Sequence, residues 1–336
     1  MAPASPAFKI SEFAISDAGD GVAMGNEEGI ARWQAIQAIS TQNTPFSSLP
    51  FARALARHCN KKATLWLVAD NTRDLASLVT FHRKQGPFLR VEVPPFTPFT
   101  SVLCAQPEVA NDALASLANH LADKFDDIRL HLHPGMQDIR SFKWANWQTG
   151  PFYTYELDLS TYDVSQQGWS TGTRRNFKKN KDLYKINRSA SDLEQIVALC
   201  AAGYNRNKRQ FPLAQTQLLN LAGDLLTQNM VRCFTAVDAT KGTIEAGVAV
   251  LHDGTKGYYW IAGSNPGPAM TVLLGNMLPA LQAEGIQTFD FVGANTPGIA
   301  EFKRRFGAIL TPYFAVTHTP NPLLATMLRI KRLLSA

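Results

Sequence analysis

The sequence predicts an α/β (α+β) protein with two domains, each a mixed, mostly antiparallel sheet flanked by helices. The 336 residues are 45% apolar and 18% charged, which is enough material for about two hydrophobic cores. One order of predicted elements (helices, a three-strand meander, a helix, a strand) occurs twice, although the halves share negligible residue identity. A meander makes neighbouring strands antiparallel, and the strand after the long helix can lie parallel to the last of them. We place the domains at 1–150 and 151–310 and expect 311–336 to complete the first.

In the first half, apolar spacing predicts helices at about 27–39, from Ser47 onward, and from about Glu108 to Lys124. Short apolar runs bounded by turn residues predict strands at 63–69, 75–81, 88–93 and 128–132.

The second half repeats this order with a stronger signal. A helix opens at Ser191, with Glu194 at capping-box spacing, and a second covers about 216–228. Strands are predicted at 231–237, 244–251, 257–262 and 288–292, and the clearest helix spans Met270–Leu281, stopped by Gly285. A helix is also predicted at about 298–306.

Three further elements lie outside the repeat. A strand at 152–159 joins the halves, and 311–318 forms a last strand. The terminal helix, 322–334, combines Leu324, Met327 and Leu328 with a basic face. Such a helix either packs on its own domain or makes peripheral contact with a membrane surface.

Bulk properties point to a soluble, cytoplasmic protein with an anionic partner. The formal net charge of +6 favours phosphate-bearing ligands, nucleic acids or anionic surfaces. Residues 1–10 lack the basic and apolar regions of a secretory signal, and no run of about 18 apolar residues predicts a transmembrane segment. The four cysteines are widely spaced, as reduced structural thiols of the cytoplasm are.

The densest charge cluster lies in the sequence TRRNFKKNK, residues 173–181. Arg174, Arg175, Lys178 and Lys179 fall on adjoining helix faces, and only Asp182 is available locally as a counter-ion. We therefore predict that this helix binds phosphates or another polyanion, with a solvated charged helix as the alternative.

Further binding candidates lie in two other segments. Lys208 belongs to a second basic segment, 205–209, which directly follows the helix that ends at Tyr204, another binding candidate; the negative end of the helix dipole also explains the cations of this segment. Asn295 lies in the loop that precedes EFKRRFGA, residues 301–308. In that motif Phe302 and Phe306 can share one buried face, with Lys303 displaced toward an edge.

The string TFDFVGANTPGIAEFKRRFGAILTPY resembles the C-terminal signature of Fem-like, BioF2-type GNAT proteins, in which a glycine-containing strand precedes a helix ending in FKxxFGA. In the same families a tryptophan, like Trp169 here, lies before an RRNxKK-like helix. A TYxLDLS strand, similar to residues 154–160, lies upstream, and PPFTPF at 94–99 is similar to a turn of the first half. The resemblance spans nearly the whole chain.

The resemblance implies two tandem GNAT-like domains that transfer an acyl or aminoacyl group to an amine. It implies that Lys303 lies near the transfer site and that Arg175 and Lys178 meet the phosphate-bearing substrate. No tightly bound cofactor is implied; acyl-CoA or aminoacyl-tRNA is the co-substrate. The [QR]xxGx[GA] loop of ordinary acetyltransferases is replaced by GSNPGPA, residues 263–269, where a helix N-terminus can still bind phosphate.

Amide formation needs a donor for the developing oxyanion and a group that accepts the amine proton. Lys303 is our candidate for the first role, and Asp290, Glu301 or a water beside Tyr259 for the second. Tyr258, Tyr259 and Trp260 either line an acceptor groove or belong to the core. His131 and His133 share a strand face without a third ligand, so we predict no metal site.

The predicted activity is therefore N-acyl or aminoacyl transfer to a small molecule or cell-envelope precursor, with tRNA as a candidate partner. One alternative is a catalytically inactive GNAT-like module that binds a nucleotide or a lipid headgroup. Nonspecific nucleic-acid binding is disfavoured because aromatic and basic residues do not interleave along a reading element.

Overall fold

The computed structural model describes residues 8–15, 24–100, 102–106, 111–163 and 165–334. The predicted helix start at Glu108 and most of the segment tested for a secretory signal lie outside these residues. The described helices are α1 Met24–Ile39, α2 Leu49–His58, α3 Asn111–Lys124, α4 Arg140–Trp144, α5 Thr171–Asn180, α6 Leu193–Arg206, α7 Gln215–Thr227, α8 Ala269–Ala283, α9 Pro297–Arg304 and α10 Pro322–Leu334.

The described strands are β1 Lys9–Ile15, β2 Lys62–Ala69, β3 Asp74–Gln85, β4 Phe88–Glu92, β5 Val102–Cys104, β6 Asp127–His131, β7 Gln148–Asp158, β8 Tyr184–Asn187, β9 Val231–Asp238, β10 Ile244–His252, β11 Lys256–Ser264, β12 Thr288–Asp290 and β13 Ile309–His318. The chain forms two compact units. One contains residues 1–152 and 313–336, and the other contains residues 153–312.

In the first unit the strand order is β1-β2-β3-β4-β6-β13, and β5 pairs with β3. Neighbours are antiparallel except β4 and β6. Residues 315–318 of β13 pair with residues 128–131, so the last strand is part of this sheet. Helix α3 covers the sheet with Leu114, Leu117 and Leu121, because these side chains lie on one helical face.

In the second unit the strand order is β7-β12-β11-β10-β9-β8. The pairing of β11 with β12 is parallel and the other described pairings are antiparallel. Helix α8 is buried along most of its length and provides the centre of the core with Leu273, Leu274, Met277 and Leu278. An almost wholly apolar helix of this kind has to lie inside a domain.

Two glycines allow helices to pack unusually closely against their neighbours in this unit. A Cβ on Gly263 of β11 would lie 2.2 Å from the backbone carbon of Leu199, so α6 crosses the strand at backbone contact. A Cβ on Gly275 of α8 would lie 2.3 Å from the Phe177 ring, so that ring rests directly on the helix backbone. The second contact docks the basic helix α5 onto the core.

The predicted fold class, helices on mixed and mostly antiparallel sheets, is confirmed. The predicted strand at 288–292 ends earlier, at Asp290, because the chain turns at Val292. Strands β1, β5 and β8 and helix α4 were not predicted, because three to seven residues are too few for a clear period. Among the described residues, no helix is both long enough and apolar enough to cross a bilayer.

Candidate functional site

Strands β11 and β12 separate toward their carboxyl ends. They pair only where residues 256–258 lie beside residues 288–290. Strand β11 continues to Ser264, whereas β12 ends. Within the described chain, no strand occupies the side of β11 that β12 leaves. We call this opening, between residues 259–264 and residues 291–294, the fork.

The chain enters the fork through a left-handed turn. Val292 has φ 52° and Gly293 has φ 62°. A β-branched residue rarely adopts this conformation, and holding one there costs on the order of 1–3 kcal/mol. Asp290 stabilises the turn, since its Oδ1 accepts a hydrogen bond from Val292 N at 2.7 Å. Lys303 stabilises it further, because its Nζ donates to the carbonyl oxygens of Val292 and, at 2.9 Å, of Gly293.

Lys303, which the sequence placed toward an edge of the helix, is buried, with 6% of its surface exposed. Its Nζ lies 5.5 Å from the centre of the Tyr259 ring, the first residue of β11 inside the fork. Burial lowers the pKa of Lys303 to about 8, although the nearby Asp290 carboxylate opposes this shift. A charged lysine has three N–H donors, and two are used by backbone carbonyls. Among the described residues the third has no hydrogen-bond acceptor.

Asp290 and Tyr259, the other two candidate catalytic residues, both interact with this ammonium group. The Asp290 carboxyl is fully buried, and the Thr154 hydroxyl donates to its Oδ1. Its Oδ2 makes no hydrogen bond in the described structure and lies 3.9 Å from Lys256 Nζ. Burial raises the pKa of Asp290, and Lys256 opposes that shift. The Tyr259 hydroxyl donates to the Met270 sulfur at 3.3 Å, and burial raises the pKa of that hydroxyl.

The other candidate base, Glu301, has different surroundings. Arg304 and Arg305 donate hydrogen bonds to its carboxylate at 2.8 and 3.0 Å. These bonds lower the pKa of Glu301 to about 2. A carboxylate of such low basicity accepts a proton poorly at neutral pH, so Glu301 is the weaker candidate for the base.

The aromatic residues of β11 divide between core and fork. Tyr258 and Trp260 are buried, which corresponds to the core alternative. Tyr259 is half-buried and faces Lys303.

Trp169 connects the two motifs that the sequence singled out. Its ring packs edge-on against Phe306 of the FKxxFG motif at 4.8 Å and against Phe177 of α5 at 5.8 Å. Gly307, at φ 80°, allows the backbone after the motif to pass close to Gly168, whose oxygen would lie 2.7 Å from an added Cβ. The basic helix and the lysine-bearing helix are therefore held against one tryptophan.

The four cations of α5 point away from this packing. Arg175, Lys178 and Lys179 are exposed and Arg174 is partly buried. None of the four forms an ion pair or a side-chain hydrogen bond with another described residue. No described contact joins them to Lys303.

The second basic segment contacts the fork and the start of α9 through Arg206 and Arg209. Lys208 is exposed and adopts φ 53°, and Tyr204 packs edge-on against Phe211 at 5.1 Å. Arg206, by contrast, donates to the carbonyl of Ser264 at the end of β11. Arg209 lies 3.5 Å from the hydroxyl of Thr296, the residue before α9. Sequence spacing carries no signal for these long-range contacts.

Asn295 closes the far side of the turn. Its side-chain oxygen accepts from Tyr153 N at 2.9 Å, and its amide donates to Tyr153 O at 3.3 Å. Both polar atoms of the side chain therefore hold β7 beside the turn.

The loop before α8 presents free backbone donors. Pro268 precedes the helix and provides no side-chain cap, and Gly267 has φ 141°. Asn265 is fixed by hydrogen bonds to Glu245. The first N–H groups of an α-helix have no partner within the helix, so this end suits an anion.

The two histidines of the first unit have local partners. The imidazole Nδ1 of His131 lies 3.3 Å from the Pro98 carbonyl, and His133 Nδ1 accepts from Gly135 N at 3.0 Å. Across the described chain, no group of three or more His, Cys, Asp or Glu side chains is placed to hold a metal ion.

Comparison with known proteins gives a domain family and a fold. Residues 170–304 match the family model described as acetyltransferase (GNAT) domain. No curated protein matches the sequence. The solved structures include FemX, which is 12% identical, covers 89% of this chain and 98% of its own, and has a TM-score of 0.69.

Two other solved structures have the same fold. A tandem GNAT protein from the clavulanic acid biosynthesis pathway is 13% identical, covers 94% of this chain and 99% of its own, and has a TM-score of 0.58. The C-terminal domain of a putative lysylphosphatidylglycerol synthetase from Agrobacterium fabrum is 13% identical, covers 90% of this chain and 95% of its own, and has a TM-score of 0.57. Residues 170–304 therefore match the GNAT domain family that the motifs indicated, and the chain shares its fold with FemX and with the tandem GNAT protein.

Proposed function

We propose that this protein is an acyltransferase that moves an acyl or aminoacyl group from a phosphate-bearing donor to an amine. One observation carries the proposal: a buried lysine, Lys303, lies where β11 and β12 separate, with one N–H left without an acceptor in the described structure. A cation held in a water-poor site stabilises an oxyanion more strongly than a solvated one does.

The fork suits an extended donor. The free side of β11 presents backbone N–H and C=O groups, which a ligand with amide groups can pair with as an added strand. The N-terminus of α8 follows this strand directly, and its free N–H groups can bind a phosphate. Acyl-CoA and aminoacyl-tRNA both combine phosphates with an activated carbonyl, and both remain candidates.

The salt dependence of binding to the exposed cations of α5 distinguishes the two candidate donors. A thioester of coenzyme A needs one phosphate site, whereas tRNA needs a longer basic surface and gives a steep dependence of affinity on salt. Arg175 and Lys178 are the residues of α5 that we expect to contact the donor phosphates.

The transfer itself needs few protein groups. The neutral amine attacks the carbonyl carbon, a C–N bond forms, and the carbonyl oxygen becomes an oxyanion that accepts from Lys303 Nζ. The C–S bond of a thioester, or the C–O bond of an aminoacyl ester, then breaks. The Asp290 carboxylate takes the proton from the amine and passes it to the leaving sulfur or oxygen.

For the acceptor we propose a lipid or a cell-envelope precursor, ahead of other small molecules. The support is one similar structure, which comes from a putative lysylphosphatidylglycerol synthetase. The cytoplasmic location expected from the sequence stays a prediction.

The second candidate is a GNAT-like module that binds a nucleotide or lipid headgroup without catalysis. One observation favours it: the two described hydrogen bonds of Lys303 go to backbone carbonyls, as those of a purely structural lysine would.

Donor binding is measured first, by native mass spectrometry and titration with acetyl-CoA and with aminoacylated tRNA. The double variant Arg175→Ala and Lys178→Ala should lower donor affinity at least about tenfold, because each charged contact to phosphate contributes about 1 kcal/mol or more. Lys185→Ala, an exposed lysine of β8, is the matched control. Unchanged affinity for both donors in the double variant would remove α5 from the proposed site.

Catalysis is tested separately with Lys303→Ala. If the protein is an enzyme, turnover should fall about 100-fold or more, the usual loss for an oxyanion donor, while donor affinity changes little. Binding of donor by the wild-type protein without transfer to any amine tested would instead support the inactive module.

A further inference from the structure

The last helix, α10, has two faces of different character. Leu324 is 4% exposed, and Leu328 on the same face is partly buried. Leu323, Met327, Ile330 and Leu334 lie on another face, at i, i+4, i+7 and i+11, and are between 51% and 84% exposed. We call these four residues the apolar stripe. Monomeric soluble proteins rarely expose a contiguous apolar surface without a binding partner for it.

The charges of α10 identify the partner. Its charged residues, Arg329, Lys331 and Arg332, are all basic. The stripe is therefore an apolar surface on a wholly cationic helix. A protein partner needs no particular charge, whereas an anionic bilayer requires this combination of apolar and basic side chains.

A cavity of about 630 Å³ lies beneath α10, and basic side chains line it as well. Arg129 and Arg329 line it together with Ala325 and Leu328. The acidic residue at this cavity, Asp127, already accepts hydrogen bonds from Arg90 at 2.5 and 3.1 Å and from Thr319 at 2.8 Å. Arg129 Nε also lies 3.4 Å from Asp127 Oδ2, so three arginines, Arg90, Arg129 and Arg329, face one carboxylate and leave a surplus of positive charge.

We propose that α10 binds an anionic phospholipid bilayer, with its apolar stripe in the acyl boundary and a lipid phosphate held by Arg129 and Arg329. A guanidinium forms paired hydrogen bonds with phosphate oxygens, and a headgroup fits the volume of the cavity. The apolar wall formed by Ala325 and Leu328 suits the glycerol end of the lipid. This proposal does not depend on the acyl-transfer reaction.

Sedimentation with vesicles tests the proposal with the full chain. Vesicles of phosphatidylcholine alone are compared with vesicles that also contain phosphatidylglycerol, and we expect binding only to the second. The double variant Met327→Gln and Ile330→Gln should lower the partition coefficient at least about tenfold. Ile39→Gln, which replaces an apolar residue that is 63% exposed on α1, should leave the partition coefficient unchanged.

The headgroup contact is tested with Arg329→Gln and with Arg129→Gln, and Lys84→Gln on β3 is the control. Each arginine variant should lose at least about threefold in binding to phosphatidylglycerol vesicles, and the control should not. Circular dichroism and thermal unfolding verify that every variant is folded.

Three results would overturn the proposal. One is an absence of sedimentation with either vesicle. Another is equal binding to both vesicle types. The last is a concentration-dependent dimer that Met327→Gln and Ile330→Gln dissociate without any vesicle binding, because the stripe would then be an interface between two copies of the chain.

Discussion

Replacing Lys303 with methionine should change how stability depends on pH. The pKa of Lys303 is about 8 in the folded protein against an ordinary value of 10.5. Below pH 8 the lysine is charged in both the folded and unfolded chains, and burying that charge costs about 3 kcal/mol. Above pH 10.5 it is neutral in both states and this cost disappears. The free energy of unfolding of the wild type should therefore rise by up to about 3 kcal/mol relative to Lys303→Met between pH 8 and pH 10.5.

The measurement is urea unfolding of both proteins at a series of pH values from 7 upward. Other titrating groups, including the buried cysteines and tyrosines, are present in both proteins and cancel in the difference. Lys178→Met, which removes an exposed lysine of α5, is the control for loss of a lysine in general.

Below pH 8 only a small difference in stability between the two proteins is expected. Methionine removes the buried charge but also the two hydrogen bonds that hold the left-handed turn, so the variant should differ from the wild type by no more than a few kcal/mol there. A difference between the proteins that stays flat from pH 7 to pH 10 would contradict the buried, desolvated ammonium on which the site depends.

Three other substitutions test the packing that builds the site. Gly263→Ala should destabilise the protein by 2 kcal/mol or more, roughly the cost of overpacking, because its Cβ meets the backbone of Leu199; chemical denaturation measures this. Gly275→Ala should lower the free energy of unfolding by about 1–3 kcal/mol because the new Cβ displaces the Phe177 ring. In the double variant with Phe177→Ala part of that loss should be recovered, and strictly additive effects of the two substitutions would refute the contact. Val292→Gly should raise stability by about 1 kcal/mol by relieving the left-handed strain, yet lower turnover by loosening the turn that positions Lys303; lower stability and full activity would refute this role.

The elements with a clear period were predictable. Helix α8 has apolar residues at every core-facing position, and in the meander before it strand-forming segments alternate with turn residues. The local sequence therefore specified the type of each of these elements, and tertiary packing did not change it. Strand β12 was predicted two residues too long because its end depends on the turn at Val292. Lys303, eleven residues further along, stabilises that turn through a hydrogen bond. Local propensity does not account for contacts between residues so far apart in the sequence.

The site was predictable in its residue types and less so in its geometry. The sequence brought Lys303, Asp290 and Tyr259 into one candidate site, and the structure places them around one ammonium group. It placed Lys303 toward an edge of the helix but gave no sign that the side chain is buried, because a charged residue on an amphipathic helix is usually solvated. The two backbone carbonyls that accept hydrogen bonds from its ammonium group, and so stabilise it in the interior, lie in a turn. The periodicity of the sequence does not predict that turn.

The proposed reaction transfers an acyl or aminoacyl group to an amine beside Lys303. The most direct measurement incubates the purified protein with acyl-CoA or aminoacylated tRNA and a set of amine-bearing lipids and cell-envelope precursors, and detects new amides by mass spectrometry. We predict an amide product whose rate falls about 100-fold or more in Lys303→Ala but not in Lys185→Ala. An amide formed equally fast by Lys303→Ala would contradict the account.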